Sequence, residues 1–173
     1  MLSAAAVLLL ALFLALRWFR RAFVAVEVAG ESMTPALRPG DYLLLRRAEL
    51  PEGEAAFGRI VATRDRSGRL LLKRVVGLPG ESLRAGADVQ INGRALVEPY
   101  AGGESPAAQY RGVQRLAPGE HFLLGDRRDA STDSRDFGAV HRSRIEGVAA
   151  FRYWPPGRVG PLRPPRRHFA QAG

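Results

Sequence analysis

At 173 residues with 46% hydrophobic content, the chain is long enough for one domain with a real core and too short for two full ones. It has no cysteine, which excludes a disulfide framework and a thiolate zinc site, and its three histidines (His121, His141, His168) are too scattered for a histidine-based metal site. The net charge of +9 suits an anionic surface, but the arginines form no long basic run and no interleaved aromatic platform, so no nucleic-acid partner is expected.

Met1 to Leu16 (MLSAAAVLLLALFLAL) carries no charged side chain and consists mostly of strong helix formers. A helix of that length rises about 24 Å, short of the roughly 30 Å hydrocarbon core of a bilayer. Trp18 and Phe19 extend it as interfacial aromatics, and Arg17, Arg20 and Arg21 can reach headgroups. Residues 1–21 are therefore expected to form one transmembrane helix. A cleaved secretory signal would carry a basic start and a small-residue cleavage site, where this chain has RWFRR. A core helix would show a polar face, and none interrupts the run. By the positive-inside rule the three arginines would hold the remainder in the cytoplasm, although long domains translocate largely regardless of charge. A start site set too far downstream, with loss of a basic leader, would give the same pattern.

Beyond Arg21 the chain reads as short strands divided by turns. FVAVEVA (Phe23 to Ala29) is rich in β-branched and aromatic residues, DYLLLRR follows a Pro39-Gly40 turn, and GRIVATR leads into the hairpin signal Asp65-Arg66-Ser67-Gly68. RLLLKRVVG (Arg69 to Gly77) is a long apolar strand. DVQINGRALV holds Asn-Gly between two apolar runs, a strong hairpin cue. HFLLGD (His121 to Asp126) and IEGVAAFRYW (Ile145 to Trp154) complete the set. The expected fold class is mainly β: a folded antiparallel sheet over residues 22–154, with a small β-ribbon excursion at about 84–120. Residues 155–173 hold five of the twelve prolines and read as a poorly ordered tail.

Of the 26 basic side chains, a single one is lysine, Lys73. Arginine keeps its proton in proteins, whereas a buried lysine can become a neutral amine and act as a base. Flanked by Leu70, Leu71, Leu72, Val75 and Val76, Lys73 sits where desolvation would lower its pKa by up to about 3 to 5 units. Arg74, next in the strand, points to the opposite face. GESMTPALRPGD (Gly30 to Asp41) places Ser32 just beyond a strand, between glycine and proline, where a sharp turn can expose a hydroxyl. A hydroxyl and a near-neutral amine together supply a nucleophile and its general base. Either residue alone would read as structural: a serine in a turn, or a lysine whose ammonium reaches water.

With GESMTPALRPGD, KRVVGLPGE (Lys73 to Glu81) and GDRRDASTDSRDFG (Gly125 to Gly138) in this order behind an apolar helix, the chain resembles the type I signal peptidases. These are membrane-anchored Ser-Lys endopeptidases that remove signal peptides from exported proteins. The resemblance implies that Ser32 attacks the scissile carbonyl and Lys73 takes its proton. It further implies that Ser131 hydrogen-bonds and orients the lysine amine, that Asp133 and Arg135 form a supporting ion pair, and that Asp126 and Arg74 hold the blocks together. The Ser32 amide would donate to the oxyanion. Val28, Ala29, Met33, Leu37, Leu71 and Leu72 are the candidates for pockets accepting small side chains, as in Ala-x-Ala. The implied partners are signal peptides and membrane lipid, with no cofactor, and the catalytic domain would lie on the extracytoplasmic side of the cytoplasmic membrane.

Three positions depart from common members of that family. Gly30 stands where some place a serine as second oxyanion donor, Arg127 replaces an asparagine, and Glu81 replaces an aspartate. Two other readings stay open on the residues: a self-cleaving repressor-type Ser-Lys protease, whose DNA-binding region and cleavage segment are not visible, and a catalytically silent, membrane-anchored β domain that binds partners.

Overall fold

The computed structural model describes residues 3–47, 49–86, 88–104 and 112–171. A helix, α1 (Ala4–Ala22), runs directly into β1 (Phe23–Glu27). Ser3 caps it, its hydroxyl accepting from the Ala6 amide. No residue of α1 is buried, and Leu8, Leu9, Leu12, Phe13 and Trp18 are all exposed. The expected transmembrane helix is present as a helix, but among the described residues none is long and apolar enough to cross a membrane. The reason lies in its last turns: Arg17, Arg20 and Arg21 leave only Ala4 to Leu16 uncharged, a rise of about 20 Å. Met1 and Leu2, also assigned to that span, lie outside the described residues.

The remaining strands are β2 (Tyr42–Arg46), β3 (Ile60–Arg64), β4 (Leu70–Gly77), β5 (Ser82–Ala85), β6 (Val89–Ile91), β7 (Arg94–Ala95), β8 (Val113–Arg115), β9 (Glu120–Leu124), β10 (Val140–His141), β11 (Gly147–Trp154) and β12 (Gly160–Pro161). One sheet has the order β1-β2-β11-β3-β4-β9-β10, with β12 on β11, and a second has β7-β6-β5-β8. Every pairing between these strands is antiparallel. The chain is therefore mainly β, and each apolar run read from the sequence forms a strand. The second sheet runs from Ser82 to Arg115, in the region where a ribbon is expected at about 84–120, and residues 105–111 of that range lie outside the described residues.

Strand alternation sorts the apolar side chains into two clusters. Val61 and Val148 join Leu83, Val89 and Ile91 of the second sheet, while their neighbours Ile60, Ala62 and Ala149 pack with Met33 and Leu37 from the loop after β1. That loop is thus clamped by its own hydrophobic side chains, each worth roughly 1.5–3 kcal/mol when fully buried. Lys73 lies in β4, a central strand between β3 and β9, buried along most of its length. Neighbouring strands on both edges close the flanks of Lys73, and the Ser32 side chain meets its amine.

The C-terminal segment is docked, against the expectation of a loose tail. β12 pairs with β11, the Val97 amide donates to the His168 carbonyl, and Leu96 bridges Phe169. Pro165 packs on Gly58, whose φ of +72° and lack of a side chain admit the contact. Arg167 pairs with Glu81 and Glu54 and lies over the rings of Phe57 and Phe169. Proline prevents this segment from joining a central strand, but edge pairing and one buried guanidinium fix it instead. Arg167→Ala is expected to lower unfolding stability by about 2 kcal/mol, read from urea midpoints. An unchanged midpoint would mean the segment is only loosely held.

Candidate active site

The loop from Val28 to Asp41 closes on itself: the Val28 amide donates to the Asp41 carbonyl at 2.8 Å and the Gly40 amide to the Val28 carbonyl at 2.9 Å. Asp41 is buried and accepts from the Arg38 amide, from Arg152 and from Arg158. Both arginines also donate to the Ala36 carbonyl. Asp41 lies within the first sequence block but had been given no role there. Its only cue is an aspartate immediately after the Pro39-Gly40 turn. With Met33 and Leu37 anchored in the core, Ser32 is left half-buried at the turn.

Ser32 Oγ lies 2.8 Å from Lys73 Nζ. The lysine is 2% exposed, and burial lowers its pKa to about 8. Asp133 opposes that fall, Arg69 and Arg135 add to it, and Asp126 opposes it. The difference from an ordinary lysine favours the neutral amine by roughly 3 kcal/mol. The ammonium donates to the serine oxygen; once neutral, the amine accepts the hydroxyl proton through the same contact. The Ser32 amide has no hydrogen-bond acceptor among the described residues, so it is free to donate to an oxyanion.

Two buried ion pairs lie close to the lysine. Arg74 donates from Nε and Nη2 to the two Asp126 oxygens at 2.7 and 2.6 Å, and from Nη1 to the Gly58 carbonyl. Asp133 receives Arg135 Nε and Nη2 at 2.9 and 2.8 Å and accepts from the Gly125 amide. It also caps the short helix α2 (Ser134–Phe137) in a capping box with Asp136. Lys73 and Arg74 thus face different partners, as adjacent strand positions must.

Ser131, in the third block, is buried. Its hydroxyl is buried without a hydrogen-bond partner among the described residues, and Lys73 bonds Ser32. It packs against Gly125, where a Cβ would collide with both Ser131 Oγ and the Ser32 carbonyl. Arg127, the residue in the asparagine position, donates its amide to the Ser32 carbonyl at 3.0 Å and pairs its guanidinium with Glu31.

Of the six pocket candidates, Val28, Met33, Leu37 and Leu71 are buried, Leu72 is half-buried and Ala29 is exposed. Val28, Met33, Leu37 and Leu72 belong to one apolar cluster, together with Val24, Val26 and Leu70. A groove of about 450 Å³ borders that cluster, lined by Val24, Val26, Leu45, Ala62 and Leu70 with Arg47, Arg64 and Glu146 at its rim. Sequence reading missed these lining residues, although the alternation of Val24, Val26 and Val28 signals one face of β1. Among the described residues no group of three or more histidine or carboxylate side chains is arranged to hold a metal ion.

Comparison with known proteins shows the family. The family described as signal peptidase, peptidase S26, matches residues 1–154. The chain belongs to that family. A signal peptidase I of Leptolyngbya laminosa is 35% identical over 157 residues, covering 84% of this chain and 76% of the relative. One of Bacillus caldolyticus is 33% identical over 141 residues, covering 74% and 78%. The crystal structure of a signal peptidase I from Enterococcus faecalis is 29% identical and covers 57% of this chain and 98% of that one, with a TM-score of 0.46. The protein is a serine endopeptidase of the signal-peptide-cleaving class.

The buried amine has a consequence for stability. Lys73 is protonated in the unfolded chain up to about pH 10.5, but in the folded chain only up to about pH 8. Its contribution is therefore least favourable below pH 8 and improves as pH rises toward 10.5. Lys73→Met is expected to be more stable than wild type at pH 7, with the gap narrowing by roughly 2–3 kcal/mol by pH 10.5. Parallel denaturation curves at the two pH values measure it, and a gap independent of pH would contradict the assigned burial cost.

Proposed function

We propose that Ser32 is the nucleophile and Lys73 the general base of this signal peptidase, acting on signal peptides that end in small residues such as Ala-x-Ala. The observation that carries the assignment is the 2.8 Å contact between Ser32 Oγ and the buried Lys73 amine. The neutral amine removes the Ser32 proton as Oγ attacks the scissile carbonyl. The Ser32 amide receives the oxyanion, a type of contact whose loss costs about 3 kcal/mol elsewhere. The lysine ammonium then protonates the departing amine, and a water activated by the regenerated amine releases the acyl group. Ser131, with its otherwise unpartnered hydroxyl, is the proposed brace for the amine. The Asp133–Arg135 and Asp126–Arg74 pairs hold the third block against the strand that carries the base.

The apolar cluster containing Val28, Met33, Leu37 and Leu72, with Leu71 and Ala29 nearby, is the proposed support of the small-residue pockets. We place α1 at the cytoplasmic membrane as the single anchor, with the catalytic sheets on the extracytoplasmic side. Its unburied apolar surface, with terminal arginines able to reach headgroups, supports the membrane placement, and the extracytoplasmic side follows from the proposed action on exported proteins.

The test is cleavage of an Ala-x-Ala signal-peptide substrate by detergent-solubilised protein. Ser32→Ala, Lys73→Ala and Lys73→Arg are each expected to lose at least about 10³-fold in kcat, because a permanent positive charge cannot act as a base. For the wild type, kcat/KM should rise with pH through an apparent pKa near 8 as the amine loses its proton. Substantial activity of Lys73→Arg would overturn the base assignment.

A further inference from the structure

The loop leaving the second sheet meets the third catalytic block through residues that the motifs do not mark. After β7, Glu98 reaches Arg128 in a bidentate pair at 2.8 and 2.6 Å, with both side chains buried. Tyr100 donates its hydroxyl to Glu98 at 2.9 Å and lays its ring over Arg74, 4.4 Å from the guanidinium carbon. Burial and the Glu98 carboxylate push the Tyr100 phenol up, so it remains a neutral donor. Two residues on, the Gly102 amide donates to the Asp126 carbonyl and the Gly102 carbonyl accepts from the Arg128 amide, each at 2.8 Å.

These contacts surround one residue. Gly102 holds the peptide groups on both sides of Arg127, and the Arg127 amide is the donor to the Ser32 carbonyl. Arg128 Nε also donates to the Gly125 carbonyl, opposite the point where Asp133 holds the Gly125 amide. Arg74 is enclosed by Asp126, the Gly58 carbonyl and the Tyr100 ring. Within the cluster Arg74 and Arg128 are balanced by Asp126 and Glu98, so it adds no net charge beside Lys73. A bidentate buried pair keeps its energy only in a narrow geometry, which makes it a stiff fastening.

We propose that Glu98 and Tyr100 are positioning residues for catalysis, fixing the Arg127 main chain whose amide holds the Ser32 carbonyl, and hence the aim of the Ser32 hydroxyl and amide. The second sheet is then a working part of the peptidase. This rests on the reading of Ser32 and Lys73 as the catalytic pair. Small displacements of a nucleophile cost rate more than binding, so the effect belongs in kcat.

The experiment measures kcat and KM on an Ala-x-Ala substrate, well below each variant's melting temperature, for wild type, Glu98→Gln, Tyr100→Leu, Tyr100→Phe and Ser32→Ala. Tyr100→Leu and Glu98→Gln should each lose about tenfold or more in kcat with KM within about twofold. Tyr100→Phe, which keeps the ring over Arg74, should recover most of the loss seen in Tyr100→Leu. If Tyr100→Leu and Glu98→Gln melt earlier yet keep the wild-type kcat, the residues are structural only and the proposal fails. Failure of Tyr100→Phe to recover activity, with KM raised throughout, would also contradict it. An active Ser32→Ala would instead overturn the nucleophile assignment on which it rests.

Discussion

Chemistry at this site depends on a lysine amine held away from water and within hydrogen-bond reach of a serine hydroxyl. Neither condition is local. Lys73 is buried on β4 between β3 and β9, and reach comes from the loop that presents Ser32, which is fastened by Met33, Leu37 and Asp41. An arginine in the same place would keep the contact and lose the base, because its guanidinium does not titrate in this range. The use of one lysine in a chain otherwise supplied with arginine therefore has a physical reason at Lys73.

Surrounding charges are arranged in closed pairs. Arg74 is satisfied by Asp126, Arg135 by Asp133 and Arg128 by Glu98, each through two hydrogen bonds. Unpaired, any of them would either hydrate the cavity or impose a net field on the lysine. Paired, they let desolvation dominate the amine, as the order of influences on Lys73 indicates. The same pairs join β4, the third block and the exit of the second sheet, so electrostatic balance and mechanical support come from the same side chains.

Much of this was legible in the sequence because its signals are local. Runs such as RIVAT and LLLKRVVG announce strands, Asn92-Gly93 announces the β6–β7 hairpin, and Ser32, Lys73, Asp133 and Arg135 stand in three ordered blocks. What was not legible depends on contacts between distant segments. Glu98 and Tyr100 carry no periodic pattern, and their importance comes from Arg128 and Arg74, which only the fold brings to them. The proline-rich end looked loose because its local chemistry forbids regular structure, yet Arg167 finds Glu81 across more than eighty residues. Ser131 shows the same limit: its sequence block announces it, but only the fold packs its hydroxyl against Gly125. The N-terminal helix was read correctly as a helix, but its arginines shorten its apolar length below a full span.

Because the chain has a single lysine, its amine can be observed without assignment. Protein made with lysine carrying carbon-13 at the ε position gives one side-chain signal, and its shift against pH reports the protonation of Lys73 directly. A midpoint near pH 8 is the result expected for a buried general base poised against Ser32. A midpoint near 10.5, the value of a lysine in water, would contradict the account at its centre.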